Sequence, residues 1–121
     1  MELERLPQAL TVCKLASLPE ADLSGDIFFL GRTENEISLV CETENVPAHT
    51  LAREDGWRGF RVRGELEFSL VGILAKLSGI LAEHGISIFA VSTYDTDYLL
   101  VKADQFRRAA DALRSGGYAV L

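Results

Sequence analysis

The chain has 121 residues, 48% of them hydrophobic and 25% charged, with a formal net charge of −6. That length holds one ordinary domain or two very small ones, with enough apolar material for a core. An acidic balance without a basic block argues against nucleic-acid binding, and charges and glycines break every apolar run before it reaches membrane-spanning length.

In chain order, the opening MELERLPQ is acidic and has no apolar signal core, so a cytoplasmic protein is expected. QALTVCKL (8–15) reads as a strand. LPEADLSG (18–25) is short and punctuated by Pro and Gly, which suits a single turn. DIFFLGRT (26–33) and EISLVCE (36–42) are two more strands, with ENE at the turn between them. TENVPAHTLAREDG (43–56) is polar, contains Pro47, and reads as a connector or short helix. Cys13 and Cys41 both fall in strand-like segments. Neither stands in a CxxC or Cys/His pattern, so no metal site is expected, and buried reduced thiols are the simpler reading. If their strands are neighbours, the two can face each other.

WRGFRVRG (57–64) alternates, with Phe60 and Val62 on one face and Arg61 and Arg63 on the other: a strand with one wet side. In VGILAKLSGILAEHG (71–85), Ile73, Leu74, Leu77, Ile80, Leu81 and His84 form one apolar stripe at helical spacing, and Gly85 suits a left-handed cap. Gly72 and Gly79 weaken this helix; they allow close backbone approach or, alternatively, accommodate packing. ISIFAVST (86–93) is apolar on both faces, so a central strand is expected. TDYLLVK (96–102) is the next strand. ADQFRRAADALRSGG (103–117) carries Phe106, Ala109, Ala110 and Leu113 on one helical face, and YAVL closes the chain as a short strand. Arg107 and Arg108 fall on that helix's solvated side.

The second half is thus β-α-β-β-α-β, the ferredoxin-like arrangement of an antiparallel sheet with two helices on one face. The other face, if apolar and uncovered, predicts self-association, most simply a homodimer. The first half reads as a worn copy. Two units follow: a degenerate one over 1–56 and a complete one over 57–121, with strand 57–64 available to both.

Two features invite a ligand. The helix start at Val71, Gly72 and Ile73 presents unpaired amides and a partial positive charge, a seat for a carboxylate to which Ser69 adds a hydroxyl. Between the last long strands lies STYDTD (92–97), with no Gly, no Pro and no basic side chain. Asp97 suits an ammonium or guanidinium group, Thr93 a hydroxyl contact, and Tyr94 a lid or flat wall. The alternative is that Asp95 and Asp97 only end strands and solvate a turn, while Ser92 and Thr93 bond the local backbone. The loop after the first strand and the turn after the second are expected at opposite ends of one unit, so that a second unit or copy unites them. No catalytic constellation is legible: the two histidines, His49 and His84, sit in no nucleophile motif, and Asp95 and Asp97 share one turn.

The segment from Glu67 to Lys102, EFSLVGILAKLSGILAEHGISIFAVSTYDTDYLLVK, resembles the small tandem-ACT proteins and the ACT units of the CASTOR arginine sensors, and more distantly the ACT domains of aspartokinases. The resemblance implies a non-catalytic, cofactor-free sensor or regulator that binds an amino acid or similar small zwitterion at a unit–unit or subunit interface. It implies a site built from the loop and helix start at Ser69, Leu70, Val71, Gly72 and Ile73 and from the segment Thr93, Tyr94, Asp95, Thr96 and Asp97. FSLVGIL departs from the commoner ACT loop, which places Asp and Pro before the Gly, and is closer to the CASTOR-like branch. The alternative is a protein–protein interaction or dimerisation module with a vestigial pocket. Neither reading calls for a membrane or a nucleic acid.

Overall fold

A computed structural model describes residues 2–18, 24–63 and 72–121. The chain divides into two compact units: Met1–Pro7 with Arg58–Leu121, and Gln8–Trp57. Eight strands and two α-helices are present among the described residues: β1 (Glu2–Arg5), β2 (Leu10–Leu15), β3 (Phe28–Arg32), β4 (Ile37–Glu42), β5 (Ala52–Val62), α1 (Ile73–Glu83), β6 (Phe89–Ser92), β7 (Asp97–Lys102), α2 (Phe106–Ser115) and β8 (Ala119–Val120). Strand β5 contributes residues to both units. Its first residues, from Ala52, lie in the stretch expected to be a connector. These residues, Ala52 to Gly56, are all exposed and mostly charged, so no hydrophobic pattern marks the strand.

In the unit that carries both helices, β6 pairs with β7, β7 with β5, β5 antiparallel with β1, and β1 parallel with β8. From β5 to β8 the order is β-α-β-β-α-β, as the sequence predicts. The N-terminal strand, which the sequence reading leaves out, lies between β5 and β8: Leu3 faces Val62 on one side and Val120 on the other. The core is shared by both helices and this sheet. Leu3, Phe60, Leu77, Leu81, Leu99, Val101, Ala109 and Leu113 are fully or nearly fully buried in one cluster. Each buried leucine contributes roughly 1.5–3 kcal/mol of hydrophobic stabilisation.

Three expectations about this unit change. Strand β6 is an edge, not a central strand, among the described residues. Ala90 and Ser92 are exposed and Phe89 and Val91 only half-buried, so its apolar run is half-covered. The sheet face away from the helices is polar at its centre. Arg61 meets Glu4 at 2.5 Å and lies over the Tyr98 ring, and hydrogen bonds to Tyr98 and then Glu4 push its pKa further up. This half-exposed pair is worth about 0.2–1 kcal/mol, and it leaves unmet at that centre the condition of an apolar face on which the expected self-association rests. His84 is the exposed C-cap of α1, with Nδ1 2.9 Å from the Ile80 carbonyl oxygen, rather than part of the stripe.

Both helices stop in the same way. Gly85 N–H donates to Ala82 O and Ile86 N–H to Leu81 O; Gly117 N–H donates to Arg114 O and Tyr118 N–H to Leu113 O. These are paired Schellman closures, with glycine at φ 69° and 97° where a side chain is strained.

The other unit is an antiparallel β3-β4-β2-β5 arrangement with a small core of Cys13, Leu15, Leu39 and Cys41. Cys13 faces Leu39 and Cys41 faces Thr11, so the cysteines are diagonal neighbours on paired strands, both buried and not joined in a disulfide. Burial raises the Cys13 thiol pKa, against a smaller opposing effect of Arg53. A single turn expected over 18–25 falls largely on residues 19–23, outside the described residues.

The two units share one hairpin chemistry. Strands β4 and β7 stand sixty positions apart (37 to 97), with the same burial pattern, and each runs into a 3-10 turn, Thr43–Asn45 or Ala103–Gln105. Before β4, Thr33 N–H donates to Glu36 O and Glu36 N–H to Thr33 Oγ1. Before β7, Thr93 N–H donates to Thr96 O and Thr96 N–H to Thr93 Oγ1.

A glycine inside α1 and one just past its end have opposite consequences. Gly79 is exposed in the helix interior, and a Cβ there meets nothing within 4 Å, so the close approach expected at this position is absent. Gly79→Ala is expected to stabilise the protein by roughly 0.5–1 kcal/mol. Gly85→Ala, at φ 69°, is expected to destabilise by about 1–2 kcal/mol. Urea unfolding of the two variants checks both signs.

Candidate functional site

One edge of the helical unit gathers the sequence-predicted elements. A β-α-β crossover returns the chain parallel to its first strand, so β5 and β6 finish at the same edge. The structure shows the consequence directly: Thr96, in the turn after β6, donates its hydroxyl to the carbonyl of Val62, the last residue of β5, at 2.8 Å. The expectation that loop and turn lie at opposite ends of a unit is therefore corrected. The end of β5 and the turn after β6 belong to one edge without help from a second unit.

Gly72 is the N-cap of α1, with φ 82°, and receives the first helical bond from Lys76 N–H at 2.9 Å. Being glycine, it adopts this left-handed geometry without strain and leaves the amides behind it uncovered by a side-chain cap. It opens on a groove of about 770 Å³, walled by Ile73, Lys76 and Ile80 of α1 and by Gly116, Gly117 and Tyr118 after α2. The two helices meet tightly here: a Cβ on Gly116 would stand 2.6 Å from Ile80 Cδ1. The groove thus joins a partially positive helix end, an exposed ammonium and apolar walls, a set suited to a small carboxylate with an apolar body.

The turn is internally bonded. Thr93 Oγ1 donates to Thr96 O at 3.1 Å, and Ser92 Oγ donates to Asp97 Oδ1 at 2.7 Å, across the register pair that closes the hairpin. Thr96 is buried, Asp97 half-buried, and Thr93 and Asp95 are exposed; Tyr94 is 77% exposed. Why this turn uses hydroxyl residues instead of Asn-Gly follows. Side-chain oxygens supply the local bonds that a tighter turn would take from its backbone, and one reaches across to β5. Gly72 and Ile73 line the groove, whereas Thr93 to Asp97 are not among its described lining residues. Ser69, Leu70 and Val71 lie outside the described residues.

Lys76 and Tyr118 go unread in the sequence. Lys76 follows Gly72 by four residues, one helical turn, and that spacing alone marks it as sharing the face of the helix start. Tyr118 carries no comparable signal, because only the closure of α2 brings it to α1.

Two helices on one face of a sheet built in this order define a ferredoxin-like α+β protein. Within that class, the chain belongs to the ACT domain family, whose model matches residues 52–115. The chain is similar to the crystal structure of protein Atu0741 from Agobacterium tumefaciens, with 31% identity and a TM-score of 0.88, over 99% of this chain and 91% of that one. It shares its fold with a protein of unknown function from Vibrio cholerae, VC0802, described as a possible transport protein (22% identity, TM-score 0.70, 95% and 88% covered). It also shares the fold of the ligand-free regulatory subunit of aspartate kinase from Thermus thermophilus (9% identity, TM-score 0.68, 97% of each chain). A search of the curated proteins found no match.

The Thr96 hydroxyl is the bond that fixes the turn to β5. Thr96→Val keeps the shape and deletes the donor, leaving the Val62 carbonyl short of a partner in a buried place. A loss of about 1–3 kcal/mol is expected. Tyr94→Ala, at the exposed tip, is expected to stay within about 0.5 kcal/mol of the parent. Thermal unfolding of the pair separates a structural turn bond from a decorative one.

Proposed function

We propose that this protein is a non-catalytic ACT sensor or regulator that binds a small zwitterion, an amino acid by its chemistry. The carboxylate is received by the amides at Gly72 and Ile73 beside Lys76, and the ammonium by the acidic turn, with Asp97 as the anchored carboxylate and Thr93, Tyr94, Asp95 and Thr96 around it. Ser69, Leu70 and Val71 complete the loop side. The observation that carries this reading is the shared edge: the turn is tied to the end of β5, and the helix that follows β5 begins at a glycine facing an open groove. The Ser92 hydroxyl donates to Asp97 Oδ1 and so orients the carboxylate. The CASTOR-like tandem arrangement belongs to the same proposal, supported by the sixty-residue spacing of the two hairpins and their common turn bonds. So do a cytoplasmic setting and a homodimer that closes the groove against solvent.

Calorimetry of the full chain against the twenty amino acids tests the proposal. One or a few are expected to bind with a Kd of about 1 µM to 1 mM, equivalent to roughly −8 to −4 kcal/mol. Lys76→Ala and Asp97→Asn are each expected to weaken that binding about tenfold, near 1.4 kcal/mol. No heat from any amino acid, or affinity unchanged in both variants, overturns the site. A tight dimer by sedimentation that ignores every amino acid supports the interaction-module reading instead.

A further inference from the structure

A second concavity lies in the same unit, on the side where β1 finishes, and its lining is basic. Four arginines, Arg5, Arg58, Arg107 and Arg114, border a cleft of about 820 Å³ in which Asp111 is the one acidic side chain. A chain with 12 basic and 18 acidic side chains has placed a third of its basic groups around one opening. Chance distribution over an acidic surface does not favour that.

The arginines are held, but not neutralised. Arg5 Nε donates to Leu121 O at 3.1 Å, Arg58 Nη2 to Leu6 O at 2.9 Å, and Arg114 Nη2 to Val120 O at 3.1 Å. These three guanidiniums are thus anchored on main-chain oxygens, Arg5 on that of Leu121 and Arg58 and Arg114 on neutral carbonyls, and of the three only Arg114 also meets an acid among the described residues. Among the described residues, Asp111 pairs with Arg114 alone, at 3.5 Å. Arg58 is further fixed face-on over the Phe106 ring at 4.3 Å, and Phe106 is itself stacked on Phe60 at 4.7 Å. The Nε of Arg58 is buried without a hydrogen-bond partner, a desolvated donor that nothing described in the chain compensates. Arg107 projects from the same face of α2 as Asp111 and Arg114, at spacings of four and seven. Even if the Leu121 main-chain oxygen is counted as a full carboxylate, the lining keeps a surplus of two positive charges.

Guanidinium groups in this condition recognise planar or tetrahedral oxyanions through paired donors, and the volume is that of a small-molecule site. We propose that this cleft binds a small polyanion with at least two oxyanion charges, a phosphorylated or polycarboxylate metabolite. The site is distinct from the groove at Gly72 and does not depend on the amino-acid reading. Arg58 and Arg5 form its rigid floor, and Arg107 is the exposed arm that closes on the ligand.

Titration calorimetry of the full chain with pyrophosphate, citrate and inorganic phosphate, at low and at moderate salt, tests it. Pyrophosphate, citrate or both are expected to bind more tightly than phosphate and to lose affinity severalfold as salt rises. Binding by pyrophosphate alone assigns a phosphorylated ligand, by citrate alone a polycarboxylate, and either supports the site. Arg107→Glu is expected to weaken binding at least tenfold with the unfolding temperature unchanged, because Arg107 is exposed. Arg58→Gln also weakens binding, but it removes packing on Phe106, so Arg107→Glu is the deciding variant. No binding of either polyanion at millimolar concentration overturns the proposal. So does binding that Arg107→Glu leaves intact while Lys76→Ala abolishes it.

Discussion

The pairing of Glu2–Arg5 with both β5 and β8 is the constraint on which the helical unit depends. A two-residue strand such as Ala119–Val120 has too few ladder bonds to hold an edge by itself. Its register against Leu3, reinforced by Leu121 N–H donating to Leu3 O and Arg5 N–H to Leu121 O, fixes where the chain goes after α2. That in turn fixes the Gly116–Tyr118 closure against Ile80, and so the wall of the groove. It also brings Arg5 beside Arg58, and the Val120 carbonyl within reach of Arg114. Without β1, neither concavity keeps its shape, although β1 contributes only one fully buried side chain to the core, Leu3.

Much of this was legible. The two long helical stripes, the alternation of Phe60 and Val62, and the glycines after each helix are local signals, and local signals survive into the fold. What was not legible is non-local. In ELER only Leu3 is apolar between charges, and nothing in four residues announces a partner more than a hundred positions away. The beginning of β5, AREDG, has the composition of a loop and becomes a strand because β2 offers it a ladder, with a register shift between Leu10 and Val12. The apolar run at β6 suggested a central strand, but position in a sheet is set by topology and not by the hydrophobicity of one strand.

The candidate site shows the same division. Gly72 and the helix start were readable because a backbone requirement leaves a residue type behind. Thr93 to Asp97 were readable as chemically unusual, yet their first use is local: hydroxyls and a carboxylate close a turn that its sixty-residue counterpart at Thr33 closes in the same manner. The counterpart ends with Glu36, whereas Thr96 carries the buried hydroxyl that reaches Val62. The difference between the two hairpins, more than the turn itself, is what ties one of them to the edge where α1 begins. Lys76 had a signal in its spacing; Tyr118 had none, since only the three-dimensional closure of α2 defines it.

The two concavities are not mechanically independent, because α2 borders both. Its far end delivers Gly116 to the groove, and its outer face delivers Arg107, Asp111 and Arg114 to the cleft. A helix packed through Ala109, Ala110 and Leu113 moves as one piece, since small buried side chains leave little slack between helix and sheet. If a ligand in either place prefers one seating of α2, the affinity at the other must change by the same factor, as linkage requires. The tightest point for such coupling is where Ile80 meets Gly116, a contact with no room for a methyl group. Any shift of α2 along its axis is registered there first, at the wall of the groove.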